Sequence, residues 1–119
     1  MAQIRDVMAK RLQTVGPDDT VGEAVAVMAQ NRIGSVLIMD GERLLGIFTE
    51  RDTVRALSQA HDAARHEIVS WMTHNPTTVA PDVDAEDALR TMLDSGFRHL
   101  PVVENGKVIG MVSMRDLAG

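Results

Sequence analysis

The sequence predicts a mixed α/β fold, α+β in the way helices and sheets are grouped, built from two βαββα-like repeats packed through their sheets into one compact module. Three observations carry that expectation. Sliding the 119-residue chain on itself by 64 positions (Met72 against Met8) aligns residues 4–52 with 68–116 without a gap, giving 11 identical pairs in 49, and self-similarity of this kind marks a repeat architecture. Within each copy the apolar period changes from helical to strand-like and back. The length is that of one ordinary domain, and neither copy has enough layers to cover its own sheet and helices, so the two must pack together.

The elements follow in order within each copy. Thr20-x-x-Glu23 is a capping-box pattern that opens a helix, and Asp84 and Asp87 stand in the same places in the second copy. Behind them Val21, Ala24, Val25 and Met28, and Ala85, Ala88, Leu89 and Met92, fall at the i, i+3, i+4, i+7 spacing of one buried helical face. Val36–Met39 and Leu44–Phe48 flank Asp40-Gly41 and read as a buried hairpin with a two-residue turn. The second hairpin is centred on Asn105-Gly106, one position further on, and Pro101 either begins its strand or sits on an edge, because it has no N–H to donate. A second helix is expected through Asp52–Leu57, whereas Leu117-Ala118-Gly119 are too few to build one after Asp116. The repeats are bounded at 1–60 and 68–119, with the polar stretch 61–67 as linker.

Composition excludes several classes of function. A net charge of −5 with no basic cluster argues against a nucleic-acid partner. The absence of cysteine removes thiolate chemistry, disulfides and Cys-based zinc sites. No apolar run has the length of a signal peptide core or a membrane span, so no membrane partner is expected and the location is cytoplasmic by default. Trp71, Phe48 and Phe97 are the only aromatics among 45% hydrophobic residues, so a ligand base would be gripped mainly by aliphatic side chains. No Walker loop, Gly-x-Ser-x-Gly or helical His pair is present, and His61, His66 and His74 read as surface residues. Neither a metal nor a required cofactor is expected, and the chain does not read as an enzyme.

In this order and twice over, several stretches resemble a tandem pair of CBS domains, the Bateman module named after cystathionine β-synthase. They are Ile4-Arg5-Asp6-Val7-Met8 and Ile68-Val69-Ser70-Trp71-Met72-Thr73, then Thr14-Val15-Gly16-Pro17-Asp18 and Thr78-Val79-Ala80-Pro81-Asp82, then Phe97–Val103, and a closing Gly-hydrophobic-hydrophobic-Ser/Thr-x-x-Asp in both copies. The resemblance spans residues 4–117. It implies binding of an adenosyl compound (AMP, ADP, ATP, S-adenosylmethionine or NAD(H)) in clefts between the paired domains. It also implies a homodimer of modules and regulation, in the manner of energy sensing, of an effector protein that the sequence does not identify.

By the same resemblance, the preferred nucleotide cleft holds Thr78, Val79, Arg98, His99, Pro101, Ser113, Arg115 and Asp116. A weaker second cleft holds Thr14, Val15, Gly34, Ser35, Thr49, Arg51 and Asp52. The residue chemistry suits such a ligand. A carboxylate accepts from ribose hydroxyls, a Ser/Thr hydroxyl or a helix N-terminus reaches phosphate, and arginine offers a planar fork. Arg98 and His99 align with Gly34 and Ser35, so one copy offers cationic donors where the other lets a backbone or neutral group approach. Plainer explanations stand beside these. Thr49-x-x-Asp52 is also a capping box, Arg98 and His99 also fit solvated surface positions, and strand packing accounts equally for Val15 and Val79. A structural dimerisation module with empty clefts is the alternative function, and an enzyme that consumes the nucleotide is a third.

Overall fold

The computed structural model describes residues 2–118. In chain order the elements are α1 (Ile4–Val7), β1 (Thr14–Val15), α2 (Val21–Asn31), β2 (Ser35–Asp40), β3 (Arg43–Thr49), α3 (Glu50–Gln59), two short 3₁₀ turns (Ala63–Arg65 and Ile68–Ser70), β4 (Thr73–His74), α4 (Ala85–Ser95), β5 (His99–Glu104), β6 (Lys107–Ser113) and α5 (Met114–Ala118). They form two units. One is Gln13–Pro76, and the other joins the segment up to Leu12 with the segment from Thr77 onward. Among the described residues no helix is long and apolar enough to cross a membrane.

The unit Gln13–Pro76 contains a four-stranded sheet in the order β1-β2-β3-β4. Its core combines three sequence periods. Val21, Ala24 and Met28 come from one face of α2, Val36, Ile38 and Phe48 from alternate positions of β2 and β3, and Ile68 and Met72 from the stretch that precedes the second repeat. Alternation puts Val36 and Ile38 on one face of the strand, where burying each is worth roughly 1.5–3 kcal/mol. Thr20 caps α2 by accepting from the Glu23 N–H at 3.2 Å.

The other unit repeats the plan with its own N-terminal segment. Ile4 is fully buried with Ala88, Met92, Leu100, Val102 and Val112, and Val7 and Met8 pack against them. Its backbone is tied in by hydrogen bonds from Ile4 N to Val83 O and Arg5 N to Pro81 O, both 2.9 Å. Each opening segment is thus seated on the other copy's hairpin. Met8 and Ala9 lie beside Gly110 and Met111, while Met72 and Thr73 lie beside Gly46 and Ile47.

This arrangement differs from the frame 1–60, 61–67 and 68–119. Residues 61–67, expected as a linker, fold into the unit Gln13–Pro76. Ala63 is fully buried, Val21 N donates to His66 O at 3.0 Å, and Ile68 N donates to Asp19 O at 2.8 Å. Sequence self-alignment finds equivalent residues, whereas backbone hydrogen bonds decide which pieces fold together.

Three expectations are corrected. Both hairpin turns occupy equivalent positions: Asp40 pairs with Arg43 and Glu104 with Lys107, leaving the two-residue loops Gly41-Glu42 and Asn105-Gly106. Positive φ at Gly41 (60°), Asn105 (53°) and Gly106 (78°) is what primed hairpin turns require, so φ, not the Asp-Gly pair, places the first turn. Asp84 precedes α4 without a side-chain cap hydrogen bond. And α5 does form, for the reason given with the site below.

Pro101 lies inside β5, not at its start, and pairs with Met111. In the first copy Leu37 N donates to Gln13 O at 3.1 Å and β1 is a two-residue strand beside β2. Proline at the equivalent position 101 has no such donor, and the neighbouring segment is reduced to a single bridge, Val79 with Val102. β5 is thereby an edge strand of its two-stranded sheet, as the missing N–H demands.

Candidate functional site

In the unit that contains residues 77–118, the candidate residues gather where β5 begins and β6 ends. Antiparallel register sets His99 opposite Ser113. Met114 N donates to Arg98 O at 2.7 Å, which draws the start of α5 against the residue before β5. Arg98, His99, Ser113, Arg115 and Asp116 therefore share one end of the hairpin. The extended segment with Thr78 and Val79 runs parallel to β5. Val79 N donates to Pro101 O at 3.0 Å, Val103 N donates to Val79 O at 2.9 Å, and Thr78 lies one residue nearer that end. Arg98, Arg115, Asp116 and Thr78 are exposed, His99, Ser113 and Val79 half-buried, and Pro101 buried.

Ser113 and Asp116 form a reciprocal pair. Ser113 N donates to Asp116 Oδ2 at 2.9 Å and Asp116 N donates to Ser113 Oγ at 3.2 Å. These are the two bonds of a capping box, and they initiate α5 despite its five residues. The expectation that too few residues follow Asp116 to build a helix is corrected. A short helix docked on a sheet draws its stability from tertiary contacts, here Met114 and Leu117 against the core, not from propagation along its own length. Asp116 Oδ1 has no partner among the described residues and remains open to a ligand donor.

The unit Gln13–Pro76 builds the same end from Thr14, Val15, Gly34, Ser35, Thr49, Arg51 and Asp52. Ser35 pairs with Thr49, and Glu50 N donates to Gly34 O at 3.0 Å. Its carboxylate is engaged differently. Asp52 is only 8% exposed. Its Oδ2 accepts from Thr49 N at 3.0 Å and Thr49 Oγ1 at 3.1 Å, and its Oδ1 from Arg55 Nη2 at 3.4 Å. Ser35 and Val15 are buried, Gly34 and Thr49 half-buried, and Thr14 and Arg51 exposed. No cation stands at positions 34 and 35, whereas Arg98 fills the equivalent place in the other unit.

Two participants escape the sequence reading. Arg55 was visible only as a helix residue three positions after Asp52, a spacing that does permit an ion pair. Trp71, which holds Arg55, lies 16 residues further on with no local signal linking them. Of the remaining histidines, His66 bonds Trp71 and Asp62, and His74 bonds the Val69 carbonyl. Among the described residues no group of His, Asp and Glu side chains is disposed to hold a metal.

Comparison with known proteins converges on one family. The model of the CBS domain matches residues 4–59 and again 65–119. An uncharacterized 17.7 kDa protein from the bps2 3′ region of Acidianus ambivalens is 38% identical over 118 residues, covering 98% of this chain and 71% of that protein. The crystal structure of the CBS-domain containing protein ATU1752 from Agrobacterium tumefaciens superposes with a TM-score of 0.94 at 32% identity, over 98% of this chain and 97% of that one. The CBS domain pair of MJ0100, in complex with 5′-methylthioadenosine and S-adenosyl-L-methionine, gives a TM-score of 0.90 at 25% identity over 99% and 94% of the two chains. CBSX2 in complex with AMP gives 0.85 at 25% identity over the same shares. With both repeats matched, and with the whole described fold reproduced in solved pairs, the chain belongs to the CBS domain family as a tandem CBS pair.

Proposed function

We propose that this CBS pair is a regulatory ligand-sensing module that binds an adenosyl nucleotide, AMP, ADP or ATP in the first place, with NAD(H) and S-adenosylmethionine as further members of the class. The observation that carries the reading is that similar pairs, aligned over 99% of this chain, hold AMP in one case and 5′-methylthioadenosine with S-adenosylmethionine in another. The site chemistry supports it. Asp116 offers an open carboxylate oxygen to a ribose diol, with Arg98 and Arg115 on the same hairpin end for phosphate. The preferred residues are Thr78, Val79, Arg98, His99, Pro101, Ser113, Arg115 and Asp116, and the weaker set is Thr14, Val15, Gly34, Ser35, Thr49, Arg51 and Asp52. The module acts in the cytoplasm, self-associates as a homodimer, and passes ligand occupancy to an effector protein by shifting the population of two shapes, not by catalysis.

Thermal unfolding with AMP, ADP, ATP, S-adenosylmethionine and NADH tests this. A ligand at ~100 times its Kd stabilises the fold by about 2.7 kcal/mol, which shows as a concentration-dependent rise in Tm. A flat response to the whole panel refutes the nucleotide reading and leaves a structural dimerisation module. Conversion of the bound nucleotide, followed by chromatography, would instead make the protein an enzyme.

A further inference from the structure

We propose that Arg55, held in place by Trp71, is a latch on Asp52 that disfavours a ribose in the first repeat's site, so that Arg55 determines which repeat takes the adenosyl ligand. The inference rests on the nucleotide reading above. A carboxylate has about four acceptor positions. In Asp52 two on Oδ2 are taken by Thr49 N and Thr49 Oγ1, and one on Oδ1 by Arg55. A ribose diol brings two donors to a carboxylate on a side chain that is 12% exposed and has about one position left. Asp116, by contrast, is exposed and spends only Oδ2, on Ser113 N.

Arg55 is positioned from both sides. The nitrogen that reaches Asp52 also donates to the Trp71 carbonyl oxygen at 2.8 Å, one hydrogen for each partner. The guanidinium carbon stands 5.5 Å from the centroid of the Trp71 ring, within cation–π range. Trp71 is itself fixed, because its Nε1 donates to His66 Nδ1 at 3.0 Å, and the two rings stack. With Nδ1 accepting, His66 carries its proton on Nε2 and donates to Asp62 at 3.2 Å. The latch is therefore anchored on residues 62–71. At the 64-residue offset Arg55 corresponds to Gly119 and Trp71 to Val7, so neither latch side chain has a counterpart in the second repeat.

Calorimetric titration of the full chain with AMP tests the latch, comparing the unmodified protein with Arg55→Met, Arg55→Lys, Asp116→Ala and the double variant Arg55→Met/Asp116→Ala. The expected result is one strong site per chain, weakened about tenfold to a hundredfold by Asp116→Ala, as for loss of one charge-assisted hydrogen bond. Arg55→Met should strengthen the other site by about tenfold or more, so that the double variant binds AMP better than Asp116→Ala alone. Arg55→Lys keeps the charge but loses the fork, and should fall between. Melting curves by circular dichroism establish that each variant is folded. The latch is refuted if the double variant binds no better than Asp116→Ala, if Arg55→Met weakens binding as a phosphate ligand would, or if the unmodified chain fills two equal sites. If no folded variant binds AMP or any other member of the panel, the nucleotide reading itself falls and the latch with it.

Discussion

Gly46 and Gly110 show how one missing methyl group decides a chain path. A Cβ on Gly46 would stand 2.6 Å from Met72 Sδ and 2.7 Å from Thr73 O, and one on Gly110 2.6 Å from Met8 Sδ and 2.9 Å from Ala9 O. The thioether can swing aside. The carbonyl cannot, because Thr73 belongs to β4 and Ala9 is hydrogen-bonded to Met111 in both directions at 2.8 and 2.9 Å. The glycine in the closing pattern of each repeat thus serves packing, where a resemblance alone suggests only a ligand motif. Gly46→Ala is expected to destabilise the protein by about 1–3 kcal/mol, as overpacking does, with Gly110→Ala of the same sign. Urea unfolding at unchanged slope checks this, and a midpoint indistinguishable from the parent for Gly46→Ala contradicts the account.

At the scale of elements, the two closing helices start with the same reciprocal cap in different surroundings. Around α3 Thr49 is half-buried and Asp52 buried and backed by Arg55, whereas at α5 Ser113 is half-buried but Asp116 is exposed. Loss of the hydroxyl at Thr49 leaves a poorly solvated N–H on Asp52, while water can replace Ser113. Thr49→Ala should therefore cost about 1–2 kcal/mol and Ser113→Ala about 0.5–1 kcal/mol. Chemical denaturation of the two variants gives the ordering directly, and equal or reversed losses would mean that exposure does not govern these caps. Sequence made the first cap legible because the box is a local pattern. It missed the second because a propagation argument ignores the core contacts of Met114 and Leu117.

For the whole molecule, apolar side chains stay exposed on one helix of each repeat, although the two helices are not equivalent: α3 in the first and α4 in the second. Val54 is 70% and Leu93 65% exposed, with Leu57 and Phe97 also open. In the unit Gln13–Pro76 an open groove of about 450 Å³ runs between α2 and α3, lined by Val25, Met28, Ala29, Ile33 and Val54 among others. Apolar surface of this kind on helices is what association covers, and it supports the homodimer proposed above. The double variant Val54→Glu/Leu93→Glu should sediment as a monomer at concentrations where the parent is a dimer, with its Tm in dilute solution nearly unchanged because neither side chain is in a core. A parent that sediments as a monomer at every concentration removes the homodimer from the proposal.

The sequence by itself determined the repeat, α2, α3 and α4, the paired strands of each hairpin, and the residues at each hairpin end, since apolar periodicity and caps act within a few residues of where they are read. Only the tertiary structure decided that Met8 and Met72 each pack on the other copy's hairpin, because both copies offer the same glycine and the choice lies in backbone bonds between distant segments. It also decided that Asp52 is engaged and Asp116 open. The identical Arg-Asp pairs at 51–52 and 115–116 do not by themselves distinguish the two carboxylates. The difference arises from Trp71, which folding brings to Arg55 across 16 residues, and side-chain hydrogen bonds over that separation leave no period in the sequence.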